Sequence, residues 1–155
     1  MYSIEPIAFV KNKRKGTDDD FWGEVISEIL ISEKISGKSI IGINEFSHLE
    51  IIFYFHLADP SSISISSSHP RGNKSFPESG IFSQRKKERP NLIGTSIVKL
   101  LKTEKNILTV EGLDAIDGTP VIDIKPVFRE FLPSEEITQP EWTSELMKNY
   151  WKKKN

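Results

Sequence analysis

The chain is a succession of short segments rich in β-branched and aromatic residues, and this pattern limits the possible folds more than any other feature. The clearest segment, residues 49–55 (LEIIFYF), is almost continuously apolar, which predicts a central strand covered on both faces. Residues 25–35 mix apolar and polar residues with many β-branched side chains and also favour a strand. Further strand candidates lie at residues 2–10, 80–84, 95–101, 107–111 and 121–124. In the first of these, Pro6 indicates an edge strand.

Helical spacing is clear at the C-terminal end of the sequence. Pro140 suits a first helical turn, and Trp142, Leu146 and Tyr150 follow at intervals of four residues. Six or seven strands with one short amphipathic helix predict a mainly β fold. We expect the sheet to close into a barrel, because closure removes the edges that a small β protein must otherwise protect.

The glycines of the chain contain no G-x-G string, and strands do not alternate regularly with helices. A Rossmann-type nucleotide-binding domain is therefore not supported. We expect one β-barrel domain over residues 1–137 and a C-terminal amphipathic helix within residues 138–155.

Cysteine is absent from the 155 residues, which excludes a disulfide framework, thiolate zinc sites, iron–sulfur clusters and a thiol nucleophile. The longest apolar run, residues 49–57, is interrupted by Glu50 and His56, so we expect no membrane helix. At the N-terminus the apolar stretch precedes the basic one, which is the reverse of the order in a secretory signal peptide. These features predict a cytoplasmic protein.

Positive charge is concentrated in residues 69–99, where seven Lys and Arg residues stand against two Glu residues, a net charge of +5. Within residues 69–94 the cations alternate with Gly and Pro, which fix the shape of a loop. Arginines on a shaped loop can present their planar donor groups to phosphate or carboxylate. A solvated surface loop explains the same pattern equally well on composition alone.

Four acidic residues, Glu111, Asp114, Asp117 and Asp123, lie within residues 110–126. They could hold a metal ion, but Asp117 begins a strong Asp-Gly turn and Asp123 alternates with isoleucines as an outward strand residue does. The three histidines lack close ligand spacing. We therefore expect structural roles for most of these acids and no metal site.

Several strings in the chain are long and of low degeneracy. They are EFSHLEIIFYFH at residues 45–56, HPRGN at 69–73, SGIF at 79–82, ERPNLIGTSIV at 88–98 and VEGLDAIDGTPVIDIKP at 110–126. Together these strings resemble the TsaA-like, TrmO-type family of S-adenosylmethionine-dependent tRNA methyltransferases. The resemblance covers roughly residues 4–126.

The resemblance implies a single-sheeted closed β-barrel and a homodimer that binds S-adenosylmethionine near the subunit interface. It also implies N6-methylation of threonylcarbamoyladenosine beside the tRNA anticodon. Motif positions place the expected cofactor contacts on His56, Leu57, Arg85, Thr95, Glu111, Gly112, Leu113 and Asp114. Backbone amides and Arg85 suit a methionine carboxylate, an acidic side chain suits ribose hydroxyls or the ammonium group, and leucines can flank adenine.

For the nucleic acid, we expect Arg71, Lys86 and Arg89 to contact tRNA phosphates. Methyl transfer from a sulfonium needs no metal, and the proton acceptor stays open between Asp114, Asp117 and a backbone carbonyl. Two alternatives remain at this point. One is a module that binds RNA or cofactor without turnover, because residues 84–92 depart from the family string T-R-S-x-x-R-P-N-P-I-G. The other is methylation of a small molecule or a protein.

Overall fold

The computed structural model describes residues 1–154 and contains one closed six-stranded antiparallel barrel in the order β1-β2-β7-β6-β3-β8. The strands are β1 (Ala8–Lys11), β2 (Ile26–Ile31), β3 (His48–Tyr54), β4 (Ser67–Ser68), β5 (Ser79–Gly80), β6 (Ile93–Glu104), β7 (Ile107–Glu111) and β8 (Pro120–Pro126). Strands β4 and β5 form a separate two-stranded ribbon. Helix α1 is Glu141–Met147, and short 3₁₀ turns lie at Gly37–Ile40, Ile43–Glu45, Pro60–Ser62, Pro70–Gly72, Ile81–Ser83 and Arg129–Phe131. The predicted mainly β closed barrel with a short C-terminal helix is confirmed.

The barrel interior is filled by alternate residues of each strand. On β3, Leu49, Ile51 and Phe53 are buried, and they pack with apolar residues from β1, β2, β6, β7 and β8 into one core. The neighbouring positions on β3 point the other way, since successive side chains of a strand alternate between its faces. Strand β3 pairs with β6 and with β8, but a closed barrel has no central strand because each of its strands has two neighbours. The expectation that both faces of β3 are covered is wrong, because its outer face is only partly buried.

Barrel closure also corrects the prediction at the N-terminus. Strand β1 pairs with β2 on one side and with β8 on the other, so the predicted edge strand at residues 2–10 has no free edge. It begins only at Ala8, after Pro6, which has no N–H to donate. Helix α1 is present where predicted, but Pro140 is extended and precedes it instead of starting it, and Tyr150 lies beyond its end.

Two other strand predictions change in length. The candidate at residues 80–84 is wrong, because only Ser79–Gly80 is extended and Ile81–Ser83 turns back with the Ile81 N–H donating to the Ser66 carbonyl at 2.9 Å. The candidate at residues 95–101 grows to the twelve residues of β6. Its hairpin to β7 turns tightly at Lys105, which has a φ of 53°.

No described helix has the length and apolar character to cross a membrane. The division between a domain at residues 1–137 and a helix within residues 138–155 stays a prediction.

Substitutions on the inner and outer faces of the sheet should change the free energy of unfolding by different amounts. Replacing the completely buried Ile51 by Ala should lower the free energy of unfolding by about 2–5 kcal/mol, because methyl and methylene groups leave a cavity behind. The same change at Ile97, which is exposed on the adjacent strand β6, should cost less than about 1 kcal/mol. Urea unfolding of both variants measures the difference, and equal losses would contradict this account of the core.

Candidate functional site

The antiparallel registers bring the sequence-predicted cofactor residues to one end of the barrel. Tyr54 at the end of β3 pairs with Ile93 at the start of β6, and Phe53 pairs with Val121 near the start of β8. Strand β7 runs antiparallel to β6 and ends at Glu111. The segments that follow β3 and β7 and precede β6 and β8 therefore share this end, which we call the site end.

The turn after β3 carries His56 and Leu57. The N–H of Phe55 donates to the Leu92 carbonyl at 2.8 Å, which ties this turn to the segment before β6. The Nε2 atom of His56 lies 3.8 Å from the place that a Cβ on Gly118 would take, so the turn adjoins the DGTP string. Burial lowers the pKa of His56, and Leu57 is exposed.

The chain from β7 to β8 is shaped by a left-handed glycine and by one asparagine. Gly112 has a φ of 82°, a conformation that favours glycine, and its N–H donates to the Val25 carbonyl at 3.2 Å. The Nδ2 atom of Asn12 donates to the Ala115 carbonyl and to the buried Ser27 hydroxyl, both at 2.9 Å. The backbone N–H of Asn12 donates to Asp117 Oδ1 at 3.0 Å. Asp117 therefore has a structural partner on the β1 side.

Asp114 is the centre of a hydrogen-bonded cluster at the site end. The Ser96 hydroxyl donates to Asp114 Oδ1 and the Tyr150 hydroxyl donates to Asp114 Oδ2. Burial, together with the negative charge of Asp114, raises the pKa of the Tyr150 phenol. Leu113, next to Asp114, is completely buried in the core, so it can offer only its backbone to a ligand.

Strand alternation separates Thr95 from Ser96. Ser96 is buried and faces Asp114, whereas Thr95 points to the other face and its hydroxyl donates to Glu50 Oε1 at 2.9 Å. The Thr95 carbonyl accepts from Arg85 Nη2 at 2.9 Å. Arg85 also lies close enough for its positive charge to act on Tyr150. The structure therefore gathers Arg85, Ser96, Asp114 and Tyr150.

Among the cations expected to contact RNA, each already has a partner within the chain. Arg71, with a φ of 51°, donates to Asp20 at 2.9 Å and lies 3.6 Å from Asp19. Lys86 lies 3.5 Å from the Ser68 hydroxyl. Arg89 Nη1 donates to the Gln84 carbonyl at 3.0 Å. Their side chains are nevertheless not fully buried, and their roles stay predictions.

Gln84 explains why this basic loop has a defined shape. Its buried amide donates to the Ser68 carbonyl at 3.0 Å and to the Ser79 carbonyl at 2.7 Å. Leu92, which stands where the family string has its second proline, has a φ of 53°. Proline cannot adopt that angle, so this backbone conformation excludes proline at position 92.

Gln84, Ser96 and Tyr150 were not singled out as site residues by their sequence context. Ser96 lies within the string at residues 88–98 and Gln84 directly precedes Arg85, so their position in sequence beside expected cofactor residues was a usable signal for both. Tyr150 was recognised only as part of a helical pattern, and its distance of 36 residues from Asp114 leaves no local signal for their contact.

The two cavities described lie away from the expected cofactor residues. One of about 360 Å³ is lined by Arg14, Asp18, Asp19, Asp20, Phe21, Arg71 and Lys154. Another of about 200 Å³ lies between Arg71 and the end of α1. Within residues 1–154 no group of three or more His, Asp or Glu side chains is arranged to hold a metal ion.

The fold and the site define a small single-sheeted β-barrel protein whose candidate binding residues lie on loops at one end of the barrel. Comparison with known sequences identifies its family: the sequence profile described as "tRNA-methyltransferase O N-terminal domain" matches residues 9–131. The chain belongs to this family.

Two similar proteins align with different fractions of this chain. A human tRNA (adenine(37)-N6)-methyltransferase is 38% identical over 102 residues, which are 66% of this chain and 23% of that protein. A probable S-adenosyl-L-methionine-binding protein of Methanocaldococcus jannaschii is 30% identical over 138 residues, which are 88% of this chain and 100% of that protein. The chain thus spans less than a quarter of the human relative but the whole length of the archaeal one.

A solved structure shows the same fold. The crystal structure of TrmO from Pseudomonas aeruginosa superposes with a TM-score of 0.71 at 24% identity and covers 92% of this chain and 62% of that chain.

Proposed function

We propose that this chain is an S-adenosylmethionine-dependent methyltransferase that methylates N6 of threonylcarbamoyladenosine beside the anticodon of tRNA in the cytoplasm. Family membership supports the proposal, as does the name tRNA (adenine(37)-N6)-methyltransferase of the human relative. The observation that carries it is the convergence of Arg85, Ser96 and Asp114, which come from separate segments, at the site end.

The donor set at the site end fits S-adenosylmethionine. A guanidinium has five N–H donors, and one of those on Arg85 is used by the Thr95 carbonyl. A carboxylate has about four acceptor positions, and two on Asp114 are filled, by Ser96 and Tyr150. Arg85 would hold the methionine carboxylate, Asp114 and Glu111 would hold the ammonium or ribose hydroxyls, and the exposed Leu57 would cover adenine.

For methyl transfer the protein mainly has to position the methyl donor and the acceptor amine. S-adenosylmethionine would supply a methyl group on a sulfonium: the exocyclic amine of the nucleoside would attack the methyl carbon in line, the C–S bond would break, and the neutral thioether S-adenosylhomocysteine would leave. That amine is a weak nucleophile, so an acceptor beside its proton assists the reaction. Both acids already accept hydrogen bonds, Asp117 from the backbone of Asn12 and Asp114 from Ser96 and Tyr150, so the proton acceptor stays open between them and a backbone carbonyl.

We further propose that the active form is a homodimer. Small-molecule sites commonly have volumes of about 300–1,000 Å³, yet neither described cavity includes an expected cofactor residue. A second copy over the site end would enclose the ligand. The site end has an exposed apolar side chain, Leu57, that a second copy would cover. The aromatic cluster in which Phe128 stacks on Phe46 at 5.6 Å and meets Phe131 edge-on at 6.1 Å lies at the opposite end of the barrel, where β3 begins and β8 ends.

The proposed dimer predicts that a charge at the site end separates the subunits. We expect the wild-type chain to sediment as a dimer and Leu57→Asp to sediment as a monomer with an unchanged circular dichroism spectrum. Phe131→Asp, a matched change at an exposed apolar residue at the opposite end of the barrel, should remain dimeric. A monomeric wild-type chain at micromolar concentration would contradict the proposed dimer.

The proposed reaction is tested with the purified chain, S-adenosylmethionine and tRNA that contains threonylcarbamoyladenosine. We expect mass spectrometry of the nucleosides to find one added methyl group on that nucleoside. Arg85→Ala should weaken S-adenosylmethionine binding at least tenfold in isothermal titration, because hydrogen bonds to charged groups contribute about 1.5–3 kcal/mol. Lys102→Ala removes a charge from the opposite end of β6, where Lys102 pairs with Glu104, and should bind as the wild type does.

The outcomes of this experiment separate the competing functions. Cofactor binding without a methylated product on any tRNA would support a binding module. Methyl transfer to another component of a cell extract that survives ribonuclease treatment would support a small-molecule or protein substrate. Absence of S-adenosylmethionine binding by the wild-type chain would reject the proposed function.

We expect the affinity for tRNA, and the dependence of that affinity on salt, to fall when the loop cations are neutralised. The triple variant Arg71→Gln, Lys86→Gln and Arg89→Gln keeps hydrogen-bonding side chains but removes three charges. Its tRNA affinity should fall, and the slope of log affinity against log salt should decrease by roughly 0.7–0.9 for each lost phosphate contact. Filter binding between 50 and 200 mM salt, the range over which such contacts are resolved, measures the slope. An unchanged slope would reject these three residues as phosphate contacts.

A further inference from the structure

The chain beyond helix α1 docks beside the site end. We call residues 149–154 the C-terminal segment. The N–H of Phe21 donates to the Asn149 carbonyl at 3.1 Å, and the N–H of Trp22 donates to the Tyr150 carbonyl at 2.7 Å. An ion pair between Lys153 and Glu24 continues the contact. Backbone and side-chain interactions therefore attach this segment to the loop between β1 and β2.

A glycine makes this docking close. A Cβ on Gly23 would collide with the carbonyl of Trp151. The absence of a side chain at Gly23 therefore provides the space that the C-terminal segment occupies. Any larger residue at this position would displace the segment from the loop.

The loop that receives the segment is itself braced. The Arg14 guanidinium stacks on the buried Trp22 ring at 3.9 Å and donates to the carbonyls of Asp18, Asp20 and Phe21 at 2.7–3.0 Å. The Trp22 indole donates to the Asp19 carbonyl at 3.0 Å. Since three carbonyls converge on one cation, this loop forms a fixed support for the segment.

The docking brings the Tyr150 hydroxyl to Asp114 Oδ2, while Ser96 donates to Oδ1. A phenol is protonated at neutral pH, and burial together with the charge of Asp114 raises the pKa of Tyr150 further, so its hydroxyl acts as a donor to the carboxylate. With a donor on each oxygen, the plane of the Asp114 carboxylate is set by two separate parts of the chain.

We propose that Tyr150 is a positioning residue that holds the Asp114 carboxylate in the orientation that receives S-adenosylmethionine. This inference rests on the proposed function. It makes the C-terminal segment a wall of the binding site, and it gives Gly23 a role in ligand affinity although Gly23 does not touch Asp114.

The inference is tested by S-adenosylmethionine titration of variants that reach Asp114 by different routes. Tyr150→Phe removes only the hydroxyl and should weaken binding about tenfold. Gly23→Ala should displace the C-terminal segment and weaken binding to a similar extent. Gly37→Ala is the matched control, since a Cβ there meets no atom within 4 Å, and Tyr2→Phe is the control for loss of an exposed phenol. Both controls should bind as the wild type does.

A double-mutant cycle separates positioning from general stability. We expect Asp114→Asn combined with Tyr150→Phe to bind no more weakly than Asp114→Asn alone, because the hydroxyl acts through the carboxylate. Thermal unfolding of each variant shows whether the fold is retained at the titration temperature. If the wild-type chain binds S-adenosylmethionine and Tyr150→Phe binds it with the same affinity, the proposed role of Tyr150 is overturned while the proposed function stands. Additive losses of affinity in the double variant would have the same meaning. A wild-type chain that does not bind S-adenosylmethionine would overturn the proposed function and this inference together.

Discussion

Each barrel strand exchanges hydrogen bonds with two neighbours, and the position of the candidate site depends on that closure. Because every barrel pairing is antiparallel, the chain leaves β3 and β7 towards the same end of the barrel from which it enters β6 and β8. The sequence strings that carry the family resemblance follow or precede these strand ends, so closure alone gathers them. The interior supports this arrangement with a continuous apolar core, while leaving the loops free to carry polar groups.

The loops at this end have little regular structure, and the side-chain amides of Asn12, which is partly buried, and Gln84, which is buried, hold them in position. Asn12 joins β1 to Ser27 and to the Ala115 carbonyl, and Gln84 joins the basic loop to the Ser68 and Ser79 carbonyls. An amide buried without partners would cost about 1–3 kcal/mol. These residues therefore define one loop shape, since any other shape leaves their donors unpaired. Gly112 and Gly23 complete the set by permitting a left-handed turn and a close backbone approach.

The fold could be predicted from the sequence because strand periodicity and the long family strings both reflect local structure. Sequence analysis predicted the strands around residues 49–55 and 107–111 and the helix after Pro140. It failed where a distant partner decides the local conformation. Strand β5 pairs only with the two-residue strand β4, and beyond that short pairing the chain turns at Ile81–Ser83. The cluster of Asp114 with Ser96 and Tyr150 depends on docking of the C-terminal segment, and no spacing in the sequence encodes that contact.

The charges around Tyr150 connect the fold to the proposed ligand. Asp114 raises the pKa of the phenol and Arg85 lowers it, which means that an anion and a cation both lie near one neutral hydroxyl. The amino acid part of S-adenosylmethionine carries an ammonium and a carboxylate, so it offers the opposite charge to each. A phenol held between the two groups adds no charge of its own and fixes the acid by a hydrogen bond. Such a pair binds a zwitterion better than it binds an anion or a cation alone, because either single charge would face one repulsive neighbour.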